Sequence, residues 1–126
     1  MPTKTYWIEE PWLMSADYWG RITIEDLENV MDACLTELAT KPVYFVVDFT
    51  GSVTMPLRIT TITSLMALVN HPNTAGFAFI NANRFAKLSI PTMVRRPYRF
   101  VDDREAGINY LRDLARADQR TPTPLR

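Results

Sequence analysis

A seven-residue segment at the centre of the chain, Val43-Tyr-Phe-Val-Val-Asp-Phe, most constrains what this sequence can fold into. It is almost wholly apolar and rich in β-branched and aromatic residues, which predicts a strand buried on both faces rather than a helix. The segment 75–80 has the same character. Between them, apolar residues recur at helical spacing from Ile59 to Val69. Strands that alternate with helices predict right-handed crossovers and a mostly parallel sheet.

The opening part of the chain predicts a hairpin followed by a helix. Segments 5–10 and 12–19 have the composition of short strands, and Pro11 separates them. As one arm of a hairpin, the first strand would lie antiparallel to the second at an edge of the sheet. Thr23 is a typical helix cap, because Asp26 follows three residues later and its charge favours a helix start.

The C-terminal part predicts the remaining elements. Segment 81–88 is expected to be a short helical connection and 91–97 to be irregular, before a last strand at 98–101. Asp102 is then predicted to cap the final helix, with Glu105 reaching back to complete a capping box. The fold class is therefore α/β, a small mixed sheet of about five strands in the order ββαβαβ(α)βα. We expect one domain over 1–116 and a flexible tail over 117–126.

Composition and charge exclude several classes of protein. Fourteen basic residues balance fourteen acidic ones, so no overall field steers the chain to nucleic acid or to anionic membrane. No apolar run approaches the roughly 18 to 20 residues of a membrane helix, and the first residues contain no signal-peptide core. The single cysteine, Cys34, cannot form an internal disulfide. We expect a cytoplasmic protein with no nucleic-acid partner and no membrane insertion.

Polar residues that follow two neighbouring strands form the candidate binding site. Because ligands of open α/β sheets bind beyond the carboxyl ends of the strands, the loop after residue 49 and the segment after residue 80 are expected to share one edge. They would form either a small polar pocket or a solvated rim. The candidate partner- or ligand-binding residues are Thr50, Gly51, Ser52, Thr54, Arg58, Asn81, Asn83 and Arg84.

The other chemically notable residues have ordinary structural explanations. Asp48 ends a strand and is expected to accept backbone N–H groups of the following loop, although it could also face a ligand. His71 lies in a helix-ending turn, and Cys34 lies on the apolar stripe of the first helix. One histidine and one cysteine do not make a soft-ligand metal site. We therefore predict no catalytic residues, no metal and no cofactor.

Basic and aromatic residues form two further groups. Arg95, Arg96 and Arg99 precede the last strand, where they would either be solvated or receive an acidic group. Aromatic residues concentrate in the opening segment, and alternation along a strand turns only part of this set outward. They are expected to pack in the core or to form a dimer or partner surface: Tyr6, Trp7, Trp12, Tyr18 and Trp19.

Two segments, together with the order of elements, resemble the STAS domain, the SpoIIAA-like fold of anti-sigma-factor antagonists. The first is Phe45-Val-Val-Asp-Phe-Thr-Gly-Ser-Val-Thr-Met, a buried strand that ends in Asp before a loop of small residues. The second is Arg99-Phe-Val-Asp-Asp-Arg-Glu-Ala-Gly-Ile-Asn-Tyr-Leu, a strand, acidic cap and final helix. The sequence departs from the family at one important position. Where such antagonists have the serine that is phosphorylated, this chain has Arg58.

The resemblance implies a non-enzymatic regulatory or protein-interaction module of bacterial type that lacks the usual phospho-switch. Its partner would be another protein or a second copy of the chain, in a homodimer. The surface would be the segment 50–58 with the neighbouring edge 81–84. The alternative is a small-molecule sensor or carrier that uses the same edge of the sheet and an apolar pocket beneath it.

Overall fold

The computed structural model describes residues 3–54 and 59–120, which form a five-stranded sheet and four helices. Their order confirms the predicted alternation of strands and helices. The elements are β1 (Thr3–Glu9), β2 (Leu13–Arg21), α1 (Ile24–Leu38), β3 (Val43–Thr54), α2 (Ile59–Val69), β4 (Thr74–Ile80), α3 (Arg84–Met93), β5 (Tyr98–Val101) and α4 (Arg104–Arg120).

The sheet has the strand order β1-β2-β3-β4-β5. Strands β1 and β2 pair antiparallel as a hairpin, and every later pairing is parallel. The mixed sheet with an antiparallel edge strand was predicted, and it is confirmed. Since each parallel pair is joined through a helix and the strands follow chain order, the crossovers α1, α2 and α3 lie on one face of the sheet.

Two apolar cores follow from this arrangement. The larger lies between the sheet and α1, α2 and α3, and it includes Leu27, Phe45 and Ile90. The smaller lies between the sheet and α4, and it includes Val46 and Leu111. Helix α4 approaches the sheet closely at Gly107, where a Cβ atom would lie 3.1 Å from the Cβ of Ala78.

The start of α1 forms as its sequence predicts. The Thr23 hydroxyl accepts the Asp26 backbone N–H at 3.1 Å, and the Asp26 carboxylate accepts the Thr23 N–H at 3.0 Å. These two bonds satisfy donors that a helix leaves free at its first turn. The pKa of Asp26 is lowered chiefly by the hydrogen bond from the Thr23 backbone.

Helix α3 is longer than predicted, because it continues through Pro91 to Met93. The segment 91–97 is therefore irregular only after Met93. The fixed φ of proline is compatible with a helix, and the end of α3 is held by a side chain from elsewhere in the chain. The Asn70 amide donates to the Met93 carbonyl at 2.9 Å and accepts the Arg95 N–H at 2.9 Å.

The cap of the last helix is also corrected. Asp103, not Asp102, accepts the Ala106 N–H at 2.7 Å, so α4 begins one residue later than predicted. The helix then continues past 116, the predicted end of the domain, to Arg120. The rest of the predicted tail, 121–126, lies outside the described residues.

Candidate functional site

The C-terminal half of β3 and the end of β4 bring some of the predicted edge residues together. The Asp48 carboxylate accepts the Thr50 backbone N–H at 2.8 Å and its hydroxyl at 2.5 Å. The Asn81 amide in turn donates to the Thr50 hydroxyl at 2.9 Å. Asp48 therefore has the expected structural role. The predicted loop after residue 49 is corrected, because β3 continues to Thr54 alongside β2 and Thr50 lies within the strand. The hydrogen bond from Asn81 joins this part of β3 to the residue that follows β4.

The other predicted edge residues serve the fold in different ways. Asn83 caps α3 by accepting the Ala86 N–H at 2.8 Å. Arg84 is exposed at the start of that helix. Gly51 allows a close approach, but the neighbour is Trp19 of the adjacent strand, whose Cβ would lie 2.5 Å from an added Cβ.

Three members of the candidate set cannot be placed in the site. Ser52 and Thr54 belong to the last part of β3, and their side chains lie outside the described part of the structure. Arg58, the residue at the position of the phosphorylatable serine, also lies outside the described residues.

A charged network at the same edge was missed by the sequence analysis. Arg104, at the start of α4, forms ion pairs with Asp17 at 3.3 Å and Asp48 at 3.6 Å. Asp17 also accepts the Tyr6 hydroxyl at 2.9 Å and the fully buried Ser15 hydroxyl at 2.6 Å. The sequence carries only part of the signal, an aspartate in each of two strand-like segments. Their pairing, which favours a cationic partner, is visible only in the register of β2 and β3.

A cavity of about 440 Å³ lies on the other side of the sheet, between the strands and α1, α2 and α3. Its volume falls within the range of pockets for small organic molecules. Among the described residues that line it, none carries a charged side chain. The lining includes Asn83, which is one of the predicted edge residues, and Ala86, so the cavity adjoins the start of α3.

The cavity lining divides between the sheet and the helices. The strands contribute mainly aromatic rings, and the helices contribute mainly branched aliphatic side chains. The strand residues are Ala16, Tyr18, Phe45, Val47, Phe49, Phe77 and Phe79. The principal helix residues are Leu27, Val30, Cys34, Leu65, Leu68, Val69 and Ile90.

Two titratable groups line the cavity, and both stay protonated at neutral pH. Burial raises the pKa of the Tyr18 hydroxyl, and the nearby Cys34 thiolate would raise it further. Burial also raises the pKa of the Cys34 thiol to about 12, and Glu37 adds to this effect. Within residues 3–54 and 59–120, no hydrogen bond engages the Tyr18 hydroxyl. The site therefore offers a neutral O–H donor in an apolar setting.

The remaining candidate residues make contacts within the fold. The His71 Nδ1 accepts the Asn73 N–H at 3.0 Å, as expected of a turn residue. Arg96 donates to the backbone carbonyls of Asn70 and His71, both at 3.1 Å, at the end of α2. Arg99 lies over the ring of Tyr110, 4.5 Å from its centroid. The predicted basic cluster is therefore dispersed among separate contacts.

The described residues contain no metal-binding cluster and no membrane-spanning helix. Within residues 3–54 and 59–120, no cluster of three or more histidine, cysteine, aspartate or glutamate side chains has the arrangement to hold a metal ion. The helices of the same residues include none with the length and hydrophobicity needed to span a membrane.

Comparison with known proteins identifies the fold. No family model matches the chain, and no curated protein matches it. The chain is similar to the crystal structure of an uncharacterised DUF3478-family protein with a SpoIIAA-like fold from Shewanella loihica PV-4. The alignment has a TM-score of 0.63 and covers 86% of this chain and 91% of that one, at 14% identity. The predicted resemblance is thus confirmed for the architecture, and the chain has a SpoIIAA-like fold.

Proposed function

We propose that this protein is a non-enzymatic binding module that takes up a small, largely apolar molecule in the cavity between the sheet and α1, α2 and α3. The observation that carries the proposal is the cavity itself, about 440 Å³ in volume and lined by uncharged side chains among the described residues. Pockets of this size with apolar walls and a few polar groups are typical of ligand sites. This corresponds to the sensor or carrier that the sequence analysis gave as the alternative.

Cavity energetics support an occupant. The cavity is apolar and partly open, so water that enters it when it is empty finds few hydrogen-bonding partners. A molecule that fills the cavity restores dispersion contacts and therefore stabilises the folded chain.

A role through protein contacts is the second candidate. Trp19 is 43% exposed and lies beside Gly51 near the carboxyl ends of β2 and β3. Exposed aromatic side chains are enriched in protein interfaces. The partner would be another protein or a second copy of the chain, as the sequence analysis expected.

Native mass spectrometry of the freshly purified protein separates the two candidates. An extra mass that leaves on mild denaturation supports the carrier. A dimer without extra mass supports the protein-interaction module and shows that the chain binds a second copy of itself.

Substitution of Ala16 tests the cavity directly. Ala16 is 3% exposed and lines the cavity floor, so Ala16→Leu places three more carbon atoms inside it. We expect the binding of two apolar probes, Nile red and dodecanol, to weaken at least tenfold in Ala16→Leu. Nile red is followed by its fluorescence and dodecanol by the shift in melting temperature.

The matched control is Ala106→Leu, because Ala106 is exposed on α4, on the opposite face of the sheet. It should bind both probes like the wild type. If the wild type binds neither probe, or if both variants bind them equally well, the cavity is not a ligand site.

A further inference from the structure

The floor of the cavity is a continuous row of aromatic rings across three strands. Successive ring centroids are 5.6 Å apart for Tyr18 and Phe49, 6.4 Å for Phe49 and Phe79, and 5.3 Å for Phe79 and Phe77. Phe45 continues the row at 5.7 Å from Phe77. All five rings line the cavity.

The rings share nearly one orientation. The angles between successive ring planes are 18°, 9°, 14° and 23° along the row. Because these rings stand on neighbouring strands of one sheet, strand pairing fixes their spacing and register. Aromatic groups gain from offset-stacked or edge-to-face contact with such rings, by about 0.5 to 1.5 kcal/mol beyond the area that they bury. A saturated chain gains only the free energy of burying its apolar surface and has no such aromatic contribution.

The polar groups of the cavity restrict the ligand further. The lining residues that the structure describes include no side chain that would neutralise a charged ligand, and burying an unpaired charge is costly. The Tyr18 hydroxyl is protonated at neutral pH, as in any tyrosine, and burial raises its pKa further. No described residue forms a hydrogen bond with it. A ligand that accepts a hydrogen bond from this hydroxyl gives it a partner beside the aromatic rings.

We propose that the cavity selects an uncharged, flat aromatic molecule whose acceptor atom, a carbonyl oxygen or a ring nitrogen, meets the hydroxyl of Tyr18. This inference rests on the proposed binding function and specifies its ligand class. The ring floor recognises the flat part of the molecule, and the Tyr18 hydroxyl recognises its one polar edge.

Three probes separate these contributions in the intact protein. Nile red is flat, uncharged and carries a carbonyl group, pyrene is flat and has no acceptor, and dodecanol is a saturated chain. We expect Nile red to bind at least tenfold more tightly than dodecanol. In Tyr18→Phe, Nile red should lose about five- to tenfold in affinity, the worth of one hydrogen bond. Pyrene should bind Tyr18→Phe and the wild type equally, which also shows that the variant keeps its fold.

Each contrary result has a distinct meaning. If dodecanol binds as tightly as Nile red, the proposed ligand class is wrong while the binding function stands. If Tyr18→Phe weakens pyrene as much as Nile red, the hydroxyl makes no specific contact and the assignment to Tyr18 fails. If no probe binds, both the ligand class and the proposed function fail.

Discussion

At the scale of single residues, the environment of Cys34 decides how its thiol behaves. The side chain is 3% exposed on α1, and burial raises the pKa of its thiol to about 12. Only the thiolate reacts with disulfides, so the folded chain carries almost none of the reactive form near neutral pH. The same sulfur would be an ordinary nucleophile in an unfolded chain.

We therefore predict that Ellman's reagent labels Cys34 very slowly in the folded protein at about pH 8, close to the ordinary pKa of a thiol. Reactivity should rise only as the pH approaches the raised pKa or as denaturant unfolds the chain. The absorbance of the released thiolate measures the rate. Fast labelling of the folded protein would show that the thiol is accessible and that its pKa is not raised.

At the scale of elements, one side chain ties the last helix to the sheet. Arg104 begins α4 and contacts Tyr6 of β1, Asp17 of β2 and Asp48 of β3. Hydrogen bonds to charged groups contribute more than neutral ones, but the side chain is 34% exposed and solvent screens part of the effect. The network therefore orients α4 across strands that are far from it in sequence.

We predict that Arg104→Leu lowers the free energy of unfolding by about 1 to 2 kcal/mol, because it leaves Asp17 and Asp48 without their cation. Denaturation by urea, followed by circular dichroism, measures the change. The control is Asp113→Asn on the same helix, which breaks only an exposed pair with Arg116 and should change stability by less than about 0.5 kcal/mol. Equal effects of the two substitutions would contradict a specific role for Arg104.

The pairing of β2 with β3 gives a second prediction at this scale. A Cβ at position 51 would lie 2.5 Å from the Cβ of Trp19 and 3.2 Å from its Cα, so the strands must separate to admit it. Gly51→Ala should therefore destabilise the protein by about 1 to 3 kcal/mol, the usual cost of overpacking. A Gly→Ala change in open space would instead stabilise by reducing the entropy of the unfolded chain. The sign of the change in the urea midpoint decides between them.

Elements were predictable from sequence where the deciding contacts are local. The capping box of Thr23 and Asp26 could be predicted because its partners are three residues apart. The end of α3 could not, because the side chain that holds it, Asn70, lies at the end of the preceding helix. At the last helix the adjacent aspartates Asp102 and Asp103 offer the same chemistry, and only the geometry after β5 selects Asp103.

At the scale of the whole molecule, the apolar patterns predicted the architecture but not the cavity. The stripe that includes Leu27, Val30 and Cys34 has the same periodicity whether its side chains meet the sheet directly or border an open volume. The distance between α1, α2 and the sheet is a property of the assembled layers. Likewise the aromatic residues of β3 and β4 predicted buried strands, while the alignment of their rings depends on strand register.

The division of the cavity between a floor of strands and a roof of helices has a consequence for the choice of ligand. The floor residues belong to the sheet that organises the entire fold, so replacing Phe77 or Phe79 alters the fold and the site together. The roof is built by three separate helices, where a change at a position such as Val30 or Ile90 reshapes the enclosed volume and leaves strand pairing intact. For the proposed binding function, we therefore expect substitutions in the roof to change which ligand fits, while the aromatic floor continues to hold the sheet together.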